Sequence, residues 1–250
     1  MRILVTGASG FVGRHLVADL REAGHTPLLH GLPAPVAGPG ETWHDTDLRD
    51  ADGLGELVSA LGPDGCIHLA GMAFVPAADD DPAQAFQINT LGTVNLLAAF
   101  RRHAPEARVL AVTSSQVYGL PNSETPIAED HPLRPHNLYA VTKAAADQAA
   151  RLHAERFGMS VMTARPYNHI GPGQSPRFVS SAFSRQLIAI GDRQAEPVIH
   201  VGNLDSERDF LDVRDAVSYT HLTLPTTLPR CRSRWAAERE GGGGGGGGGG

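Results

Sequence analysis

Short apolar runs alternate with amphipathic segments along the first 165 residues. The first run, residues 2–6, is apolar and partly β-branched and ends at a glycine, which is typical of a buried strand in a parallel sheet. The next segment, Phe11–Ala23, has apolar residues at helical spacing and stops at Gly24, a residue type that commonly ends helices. The same patterns predict strands at Thr26–His30, Cys66–Ala70, Arg108–Thr113 and Ser160–Arg165, and helices at Ala51–Leu61, Pro82–His103 and Tyr139–Phe157.

This alternation predicts the fold class. Strands that alternate with helices imply right-handed βαβ crossovers, and therefore an α/β, Rossmann-type doubly wound parallel sheet. We expect residues 1–165 to form a dinucleotide-binding Rossmann domain. Residues 166–217 are expected to form a partial substrate-binding lobe.

The pattern changes at Ser218. Residues 218–240 show neither a helical nor a strand period, and ten glycines follow at 241–250. The segment resembles the translated adapter sequence that contaminates some assembled genes; the alternative is a genuine linker. We therefore expect the fold to end near Val217, with a truncated C-terminal lobe and a non-native, disordered tail over 218–250.

Composition and charge exclude several classes of protein. The chain is 41% hydrophobic and 19% charged, as ordinary globular proteins are. Its formal net charge of −6 is opposite in sign to the basic surface of a nucleic-acid-binding protein. No apolar run approaches the roughly 18 residues that span a bilayer, and we expect no signal peptide before the first strand. Two cysteines, Cys66 and Cys231, and scattered histidines predict no metal site and a cytoplasmic location.

A glycine-rich loop joins the first predicted strand to the first predicted helix. It reads Gly7-Ala8-Ser9-Gly10-Phe11-Val12-Gly13. Three glycines allow a sharp turn, close approach of the backbone to a pyrophosphate, and close packing of helix on strand. The helix N-terminus adds free N–H groups and the positive end of the helix dipole. This context predicts dinucleotide binding rather than a purely structural turn.

A second motif combines Tyr139 and Lys143, which an i, i+4 spacing places on one face of a helix. A nearby ammonium favours the phenolate and lowers the pKa of the tyrosine, which makes it a better acid–base group. Alone, the pair is equally consistent with a surface tyrosine and a solvated lysine. Ser114 follows the fourth predicted strand, at the carboxyl edge where such sheets bind ligands, so its hydroxyl can hold a substrate carbonyl oxygen.

In this order the motifs resemble the extended short-chain dehydrogenase/reductase family of nucleotide-sugar epimerases, dehydratases and reductases. The resemblance covers residues 1–217. It implies Ser114, Tyr139 and Lys143 as the catalytic trio, with Lys143 also bound to the nicotinamide ribose. It further implies that the glycine loop, Asp47, Leu48, Leu69, Ala70 and Gly71 contact the cofactor. Asn89 occupies the place of a helix-kinking asparagine, where a backbone role and a proton-relay role are both open.

Other residues must discriminate among the reactions of this family. Related dehydratases carry an Asp-Glu or Ser-Glu pair where this chain has Ser115-Gln116, and a glutamine cannot act as a general base. The motifs within residues 165–179 and 201–213 resemble the branch that reduces GDP-4-dehydro-6-deoxy-D-mannose to GDP-D-rhamnose. We therefore expect NAD(P)H-dependent reduction of a 4-keto nucleotide sugar. A UDP-sugar 4-epimerase, a 4,6-dehydratase and an inactive dinucleotide-binding fragment are the alternatives.

The same resemblance implies the substrate contacts. Asn168 and Arg208 would hold the diphosphate, since a guanidinium can bond two oxygens at once, and Arg177 is a weaker candidate. Ser114, Ser115 and Gln116 would contact the sugar.

Cofactor preference and assembly complete the expectations. The second strand ends without the carboxylate that NAD-specific enzymes place on the ribose 2′-hydroxyl, and Arg14 is a candidate partner for a 2′-phosphate. This favours NADPH, with NADH accepted. The resemblance also implies a homodimer formed through the helices at Pro82–His103 and Tyr139–Phe157.

Overall fold

A six-stranded parallel sheet lies at the centre of the molecule, in a computed structural model that describes residues 1–120, 126–205 and 207–217. A two-stranded parallel sheet lies apart from it. The strands are β1 (Arg2–Thr6), β2 (Thr26–His30), β3 (Trp43–His44), β4 (Gly65–His68), β5 (Arg108–Val112), β6 (Val161–Ala164), β7 (Asn168–Ile170) and β8 (Phe210–Asp212).

Helices connect these strands. The α-helices are α1 (Phe11–Glu22), α2 (Ala51–Leu61), α3 (Val75–Asp80), α4 (Pro82–Ala85), α5 (Gly92–His103), α6 (Leu138–Phe157), α7 (Val179–Gly191) and α8 (Val213–Ala216). A π-helical turn, Phe86–Leu91, joins α4 to α5, and a 3₁₀ helix, Ser115–Tyr118, follows β5.

The order of the main sheet is β3-β2-β1-β4-β5-β6, and every pairing within it is parallel. The strand order reverses between β1 and β4, which is the switch point where doubly wound sheets bind ligands beyond the carboxyl ends of their strands. The predicted fold class is therefore confirmed.

Apolar residues cover both faces of this sheet. Leu4, Cys66 and Val109 point to one face, where they pack with residues of α2, α5 and α6 such as Phe100. Ile3, Val5, Ile67 and Leu110 point to the other face, where α1 covers them. Strands buried on both faces read as continuous apolar runs, which explains why the sequence showed them clearly.

Among the described residues after β6, the strands β7 and β8 and the helix α7 lie outside the main sheet and form a second lobe. No residue of α7 is buried, and apolar side chains such as Leu187 and Ile188 are more than half exposed. α8 returns to the main domain, because Val213 and Val217 pack into the cluster under α1. No helix among the described residues is long and apolar enough to cross a membrane. The predictions for the tail, 218–250, lie outside the described residues.

Two hydrogen bonds join this lobe to α1. Arg14 Nη2 donates to the Gly173 carbonyl at 3.2 Å, and His15 Nε2 lies 3.0 Å from the Pro172 carbonyl. The lobe is therefore attached to the helix that follows the glycine loop.

Candidate active site

The glycine loop between β1 and α1 is shaped by close backbone contacts. Gly7 has a φ of +73°, and a Cβ on it would lie 2.8 Å from the Ala70 amide nitrogen. A Cβ on Gly13 would lie 2.2 Å from the Gly7 carbonyl oxygen. Neither position tolerates a side chain without movement of backbone, so both glycines are required for the helix to meet the strand this closely.

The start of α1 fits a dinucleotide diphosphate. Gly10 is the N-cap and brings no side chain, so the first N–H groups of α1 face the loop without a side-chain acceptor. Free N–H groups and the positive end of the helix dipole form an anion site. On the neighbouring strand end, a Cβ on Gly31 would lie 2.7 Å from Ser9 Oγ, so a side chain at this position would displace Ser9 of the glycine loop. Phe11 and Val12, also expected to contact the cofactor, pack in part against the cluster under α1.

The three predicted catalytic residues come together at the carboxyl edge of the sheet. Ser114 follows β5 and caps the 3₁₀ helix by accepting from the Gln116 amide at 3.2 Å. Tyr139 and Lys143 lie in α6, which begins where Asn137 accepts from the Ala140 amide at 2.7 Å. All three side chains of the trio are buried.

The protonation of the trio differs from the expectation. Burial raises the pKa of the Tyr139 phenol, and a hydrogen bond with Ser114 opposes that shift in part. Burial also lowers the pKa of Lys143 to about 8, and its Nζ donates to the Val112 carbonyl at 3.3 Å. The pKa of Tyr139 is therefore raised, opposite to the expected direction, because desolvation of the phenol is the largest cause of the shift.

Asn89 connects the segment after β4 to the catalytic helix. Its Oδ1 accepts from the Met72 amide at 2.8 Å, and its Nδ2 donates to the Met72 carbonyl at 3.1 Å and to Thr142 Oγ1 at 3.0 Å. A Cβ on Gly71 would lie 2.8 Å from Asn89 Oδ1 and 3.1 Å from Lys143 Nζ. Asn89 lies in the π-helical turn, so the structure supports the backbone role.

A buried histidine, His68, lies beneath the same segment. Its Nε2 lies 3.0 Å from Thr93 Oγ1, whose proton goes to the Asn89 carbonyl, so Nε2 is the protonated nitrogen. Its Nδ1 then accepts from Thr6 Oγ1 at 2.7 Å, while Thr6 Oγ1 accepts from the Ala70 amide. Burial lowers the pKa of His68 to about 3. The sequence analysis missed this histidine, although its place at the end of an apolar strand was a usable signal.

The other predicted cofactor residues occupy different settings. Asp47 pairs with Arg49, whose Nε lies 3.0 Å from Oδ1, and this pair lowers the pKa of Asp47. Leu48 is buried in the core beside Gly92, and Leu69 is partly buried under α1. Arg14 is turned to the Gly173 carbonyl of the second lobe.

The predicted substrate residues lie in two parts of the fold, the segment after β5 and the second lobe. Gln116 accepts from Asn137 Nδ2 at 3.0 Å, and Ser115 begins the 3₁₀ helix. Asn168 begins β7 and donates to the Asp209 carbonyl at 3.0 Å, next to the exposed Arg208. The guanidinium of Arg177 lies over the ring of Phe74, 5.1 Å from the centroid.

Comparisons with known proteins agree with this geometry. GDP-6-deoxy-D-mannose reductase of Pseudomonas aeruginosa is 43% identical over 218 residues, which is 87% of this chain and 68% of that protein. The structure of RMD from Pseudomonas aeruginosa complexed with NADPH matches with a TM-score of 0.76 at 40% identity, over 88% of this chain and 72% of that one. Thermus thermophilus UDP-glucose 4-epimerase in complex with NAD matches with a TM-score of 0.79 at 28% identity, over 90% and 75%.

A family model covers most of the chain. The model of the NAD dependent epimerase/dehydratase family matches residues 3–228. The chain therefore belongs to the NAD dependent epimerase/dehydratase family.

Proposed function

We propose that this protein reduces the 4-keto group of a nucleotide sugar with NADPH or NADH, and that its substrate is GDP-4-dehydro-6-deoxy-D-mannose, which it converts to GDP-D-rhamnose. The observation that carries the proposal is the 43% identity to a GDP-6-deoxy-D-mannose reductase. The buried trio of Ser114, Tyr139 and Lys143 supports it, because a ketone reduction needs a proton donor beside a group that holds the carbonyl oxygen.

Each residue of the trio has one task in this reaction. Ser114 donates a hydrogen bond to the ketone oxygen, and Tyr139 gives its proton to the alkoxide that forms there. Lys143 stabilises the tyrosinate that remains. Because burial raises the pKa of Tyr139, the phenol keeps its proton at neutral pH, which is the form that reduction requires. The bound reduced nicotinamide supplies the hydride.

The cofactor would be held by the glycine loop and the segment after β4. The N–H groups at the start of α1 would bind the diphosphate. Gly71 has no side chain and therefore lets the segment after β4 approach Asn89 and Lys143 closely. The adenine contacts of Asp47 and Leu48 and the 2′-phosphate contact of Arg14 stay predictions. For Arg14, that contact requires the hydrogen bond to Gly173 to open.

The substrate would lie in the cleft between the trio and the second lobe. Asn168 and Arg208 would bind the diphosphate, Arg177 would assist if it leaves Phe74, and Ser115 and Gln116 would contact the sugar. A charged guanidinium that bonds two phosphate oxygens is the strongest such contact that this lobe offers.

The experiment is a reductant-consumption assay. The purified chain is mixed with NADPH or NADH and GDP-4-dehydro-6-deoxy-D-mannose, and loss of the reduced-nicotinamide absorbance is followed while the product is identified by mass spectrometry. We expect consumption that depends on the GDP sugar. Bound cofactor without net consumption, together with interconversion of a UDP sugar, would instead indicate a 4-epimerase, the alternative favoured by the fold match to a UDP-glucose 4-epimerase.

A homodimer and a cytoplasmic location belong to the same proposal. Leu152 and Phe157 expose apolar surface on α6, and Arg101 of α5 lies over the Phe157 ring at 4.2 Å, so the two helices form a continuous face. Exposed apolar side chains on adjacent helices are typical of a protein interface. Analytical ultracentrifugation tests the homodimer, and a monomer at micromolar concentration would contradict it. Cell fractionation tests the cytoplasmic location.

A further inference from the structure

A buried ion pair lies behind the trio, on the side of α6 that faces the sheet. The Asp147 carboxylate is fully buried, and Arg165 binds it with two parallel hydrogen bonds, Nε to Oδ2 at 2.8 Å and Nη2 to Oδ1 at 2.7 Å. The single hydroxyl proton of Thr113 lies between two acceptors, Asp147 Oδ2 at 3.1 Å and the Ala164 carbonyl at 3.0 Å. The carboxylate therefore joins three elements: the end of β5, the middle of α6 and the residue after β6.

The third nitrogen of the Arg165 guanidinium, Nη1, extends this cluster to the short helix that Ser114 caps. Arg165 Nη1 donates to the Tyr118 hydroxyl at 2.8 Å and to the Glu129 carbonyl at 2.9 Å, and the guanidinium lies over the Tyr118 ring. Tyr118 is the last residue of the 3₁₀ helix that Ser114 caps. Both ends of that short helix are therefore tied to the same arginine and carboxylate.

The position of the cluster relates it to the trio. Thr113 is covalently bonded to Ser114, and Asp147 lies one helical turn after Lys143 and two turns after Tyr139. Residues at i, i+4 and i+8 share one face of a helix, so the carboxylate lies on the same side of α6 as the two catalytic side chains. The contact between Thr113 and Asp147 therefore links the end of β5, which Ser114 follows, to α6, which carries Tyr139 and Lys143.

The energetics favour a positioning role over a purely stabilising one. Removing a carboxylate and a guanidinium from water costs several kcal/mol, and apolar residues of similar volume often stabilise a fold as well or better. A bidentate pair does, however, restrict geometry closely. Displacement of a reacting group by about 1 Å can cost about 100-fold in rate.

We propose that Asp147, held by Arg165 and Thr113, is a positioning residue that fixes the Ser114 hydroxyl relative to Tyr139 and Lys143. This inference rests on the proposed reductase function for its kinetic readout. None of the three residues of the cluster touches substrate or cofactor in this role. They act by fixing the position of β5 relative to α6.

The test compares Thr113→Val with Thr113→Ser. Valine keeps the shape and removes the hydroxyl, and with it the contacts to Asp147 Oδ2 and to the Ala164 carbonyl. The Arg165–Asp147 pair and the hydrogen bond from the Thr113 amide to the Ala164 carbonyl stay in place. We expect Thr113→Val to lower kcat by about tenfold or more, with the KM for the sugar nucleotide and the cofactor Kd within about twofold of the original. Thr113→Ser restores the hydroxyl and should recover kcat to within about twofold.

Two further variants sharpen the comparison. Asp147→Asn should lower kcat more than Thr113→Val, and its melting temperature is recorded because it leaves Arg165 without a counter-charge. Glu41→Gln breaks the exposed pair with Arg21 and should leave kcat unchanged. If Asp147→Asn fails to fold, the comparison of Thr113→Val with Thr113→Ser alone tests the proposal. An unchanged kcat in Thr113→Val, or a loss that Thr113→Ser does not recover, would overturn the proposal.

A readout without substrate separates this proposal from the reductase assignment. The hydrogen bond with Ser114 holds down the pKa of Tyr139, so a displaced serine should raise that pKa. Ultraviolet difference titration of Thr113→Val, with Tyr139→Phe as the reference that removes the signal, measures the shift. An unchanged pKa of Tyr139 in Thr113→Val would overturn the positioning role even if the GDP sugar proves not to be the substrate. A raised pKa supports the role in either case.

Discussion

At the scale of single residues, the space around Gly13 decides whether the loop can form. A Cβ there would lie 2.2 Å from the Gly7 carbonyl oxygen and 2.7 Å from the Ala8 Cα, and both are backbone atoms that cannot rotate away. Gly191, at the end of α7, has nothing within 4 Å of the corresponding position. Gly191 therefore serves as a control, since an added methyl group there meets no other atom.

We predict that Gly13→Ala destabilises the fold by about 1–3 kcal/mol, the usual cost of overpacking, and weakens dinucleotide binding by at least about tenfold. Gly191→Ala should change neither quantity appreciably. Denaturant unfolding and calorimetric titration with NADPH measure the two effects. Equal behaviour of the two variants would show that the loop is looser than the contacts indicate.

Tyr139 supports a second prediction at this scale. Tyr139→Phe removes the proton donor and keeps the ring, so turnover with the GDP sugar should fall by at least about 100-fold, the lower range for general acids. Cofactor affinity and melting temperature should stay near the original values, since the ring packing survives. Near-normal turnover would refute the assignment of Tyr139 as the acid.

At the scale of elements, the segment Pro82–His103 shows where sequence reasoning ends. Its apolar spacing predicts one regular helix, and only the family resemblance places a helix-kinking asparagine at Asn89. The structure has a π-helical turn at Phe86–Leu91 within this segment. The side chain of Asn89 binds Met72 and Thr142, which are 17 and 53 residues away. Such contacts leave no trace in a local pattern.

The difference between local sequence patterns and contacts between distant residues also explains the rest of the fold and the site. Buried strands and the trio could be predicted because their residues lie in local motifs, such as the glycine loop and Tyr139 with Lys143. β7 and β8 escaped prediction because three-residue strands have too few positions to show a period. Likewise, Arg165 and Asp147 come into contact only in the folded chain, and no spacing in the sequence predicts the pair.

The π-helical turn leads to a prediction about Asn89. Asn89→Ala leaves the Met72 backbone groups and Thr142 without their partner, so stability should fall by about 1–3 kcal/mol and cofactor affinity should fall with it, because Gly71 adjoins Met72. Asp81→Ala removes the cap of α4, which accepts from Gln84, and should cost about 1 kcal/mol with no change in cofactor affinity. Thermal unfolding and fluorescence titration with NADPH distinguish them. If both variants bind cofactor normally, the turn does not support the site.

At the scale of the whole molecule, buried histidines link stability to pH. Burial lowers the pKa of His68 to about 3, that of His169 to about 4, and that of His30 below its ordinary value. The unfolded chain takes up these protons near pH 6.5, while the folded chain resists them. Stability is therefore fully present above about pH 6.5 and falls as the pH drops toward 3.

We predict that each such histidine contributes up to about 1.4 kcal/mol per pH unit to this loss between its folded pKa and about 6.5. His68→Asn should reduce the slope of unfolding free energy against pH by about one proton, even where it lowers stability at neutral pH. Urea unfolding at a series of pH values gives both slopes. Identical slopes would mean that His68 becomes protonated inside the fold, against its hydrogen bonds to Thr6 and Thr93.

The attachment of the second lobe to α1 has a consequence for how the two ligands influence one another. Arg14 and His15, in the first two turns of α1, bind Gly173 and Pro172 of the lobe. Under the proposed function, the N-terminus of α1 would bind the dinucleotide and the lobe would bind the sugar nucleotide. Any coupling between the two sites would then be reciprocal: the factor by which dinucleotide changes the affinity for the sugar nucleotide equals the factor by which the sugar nucleotide changes the affinity for dinucleotide.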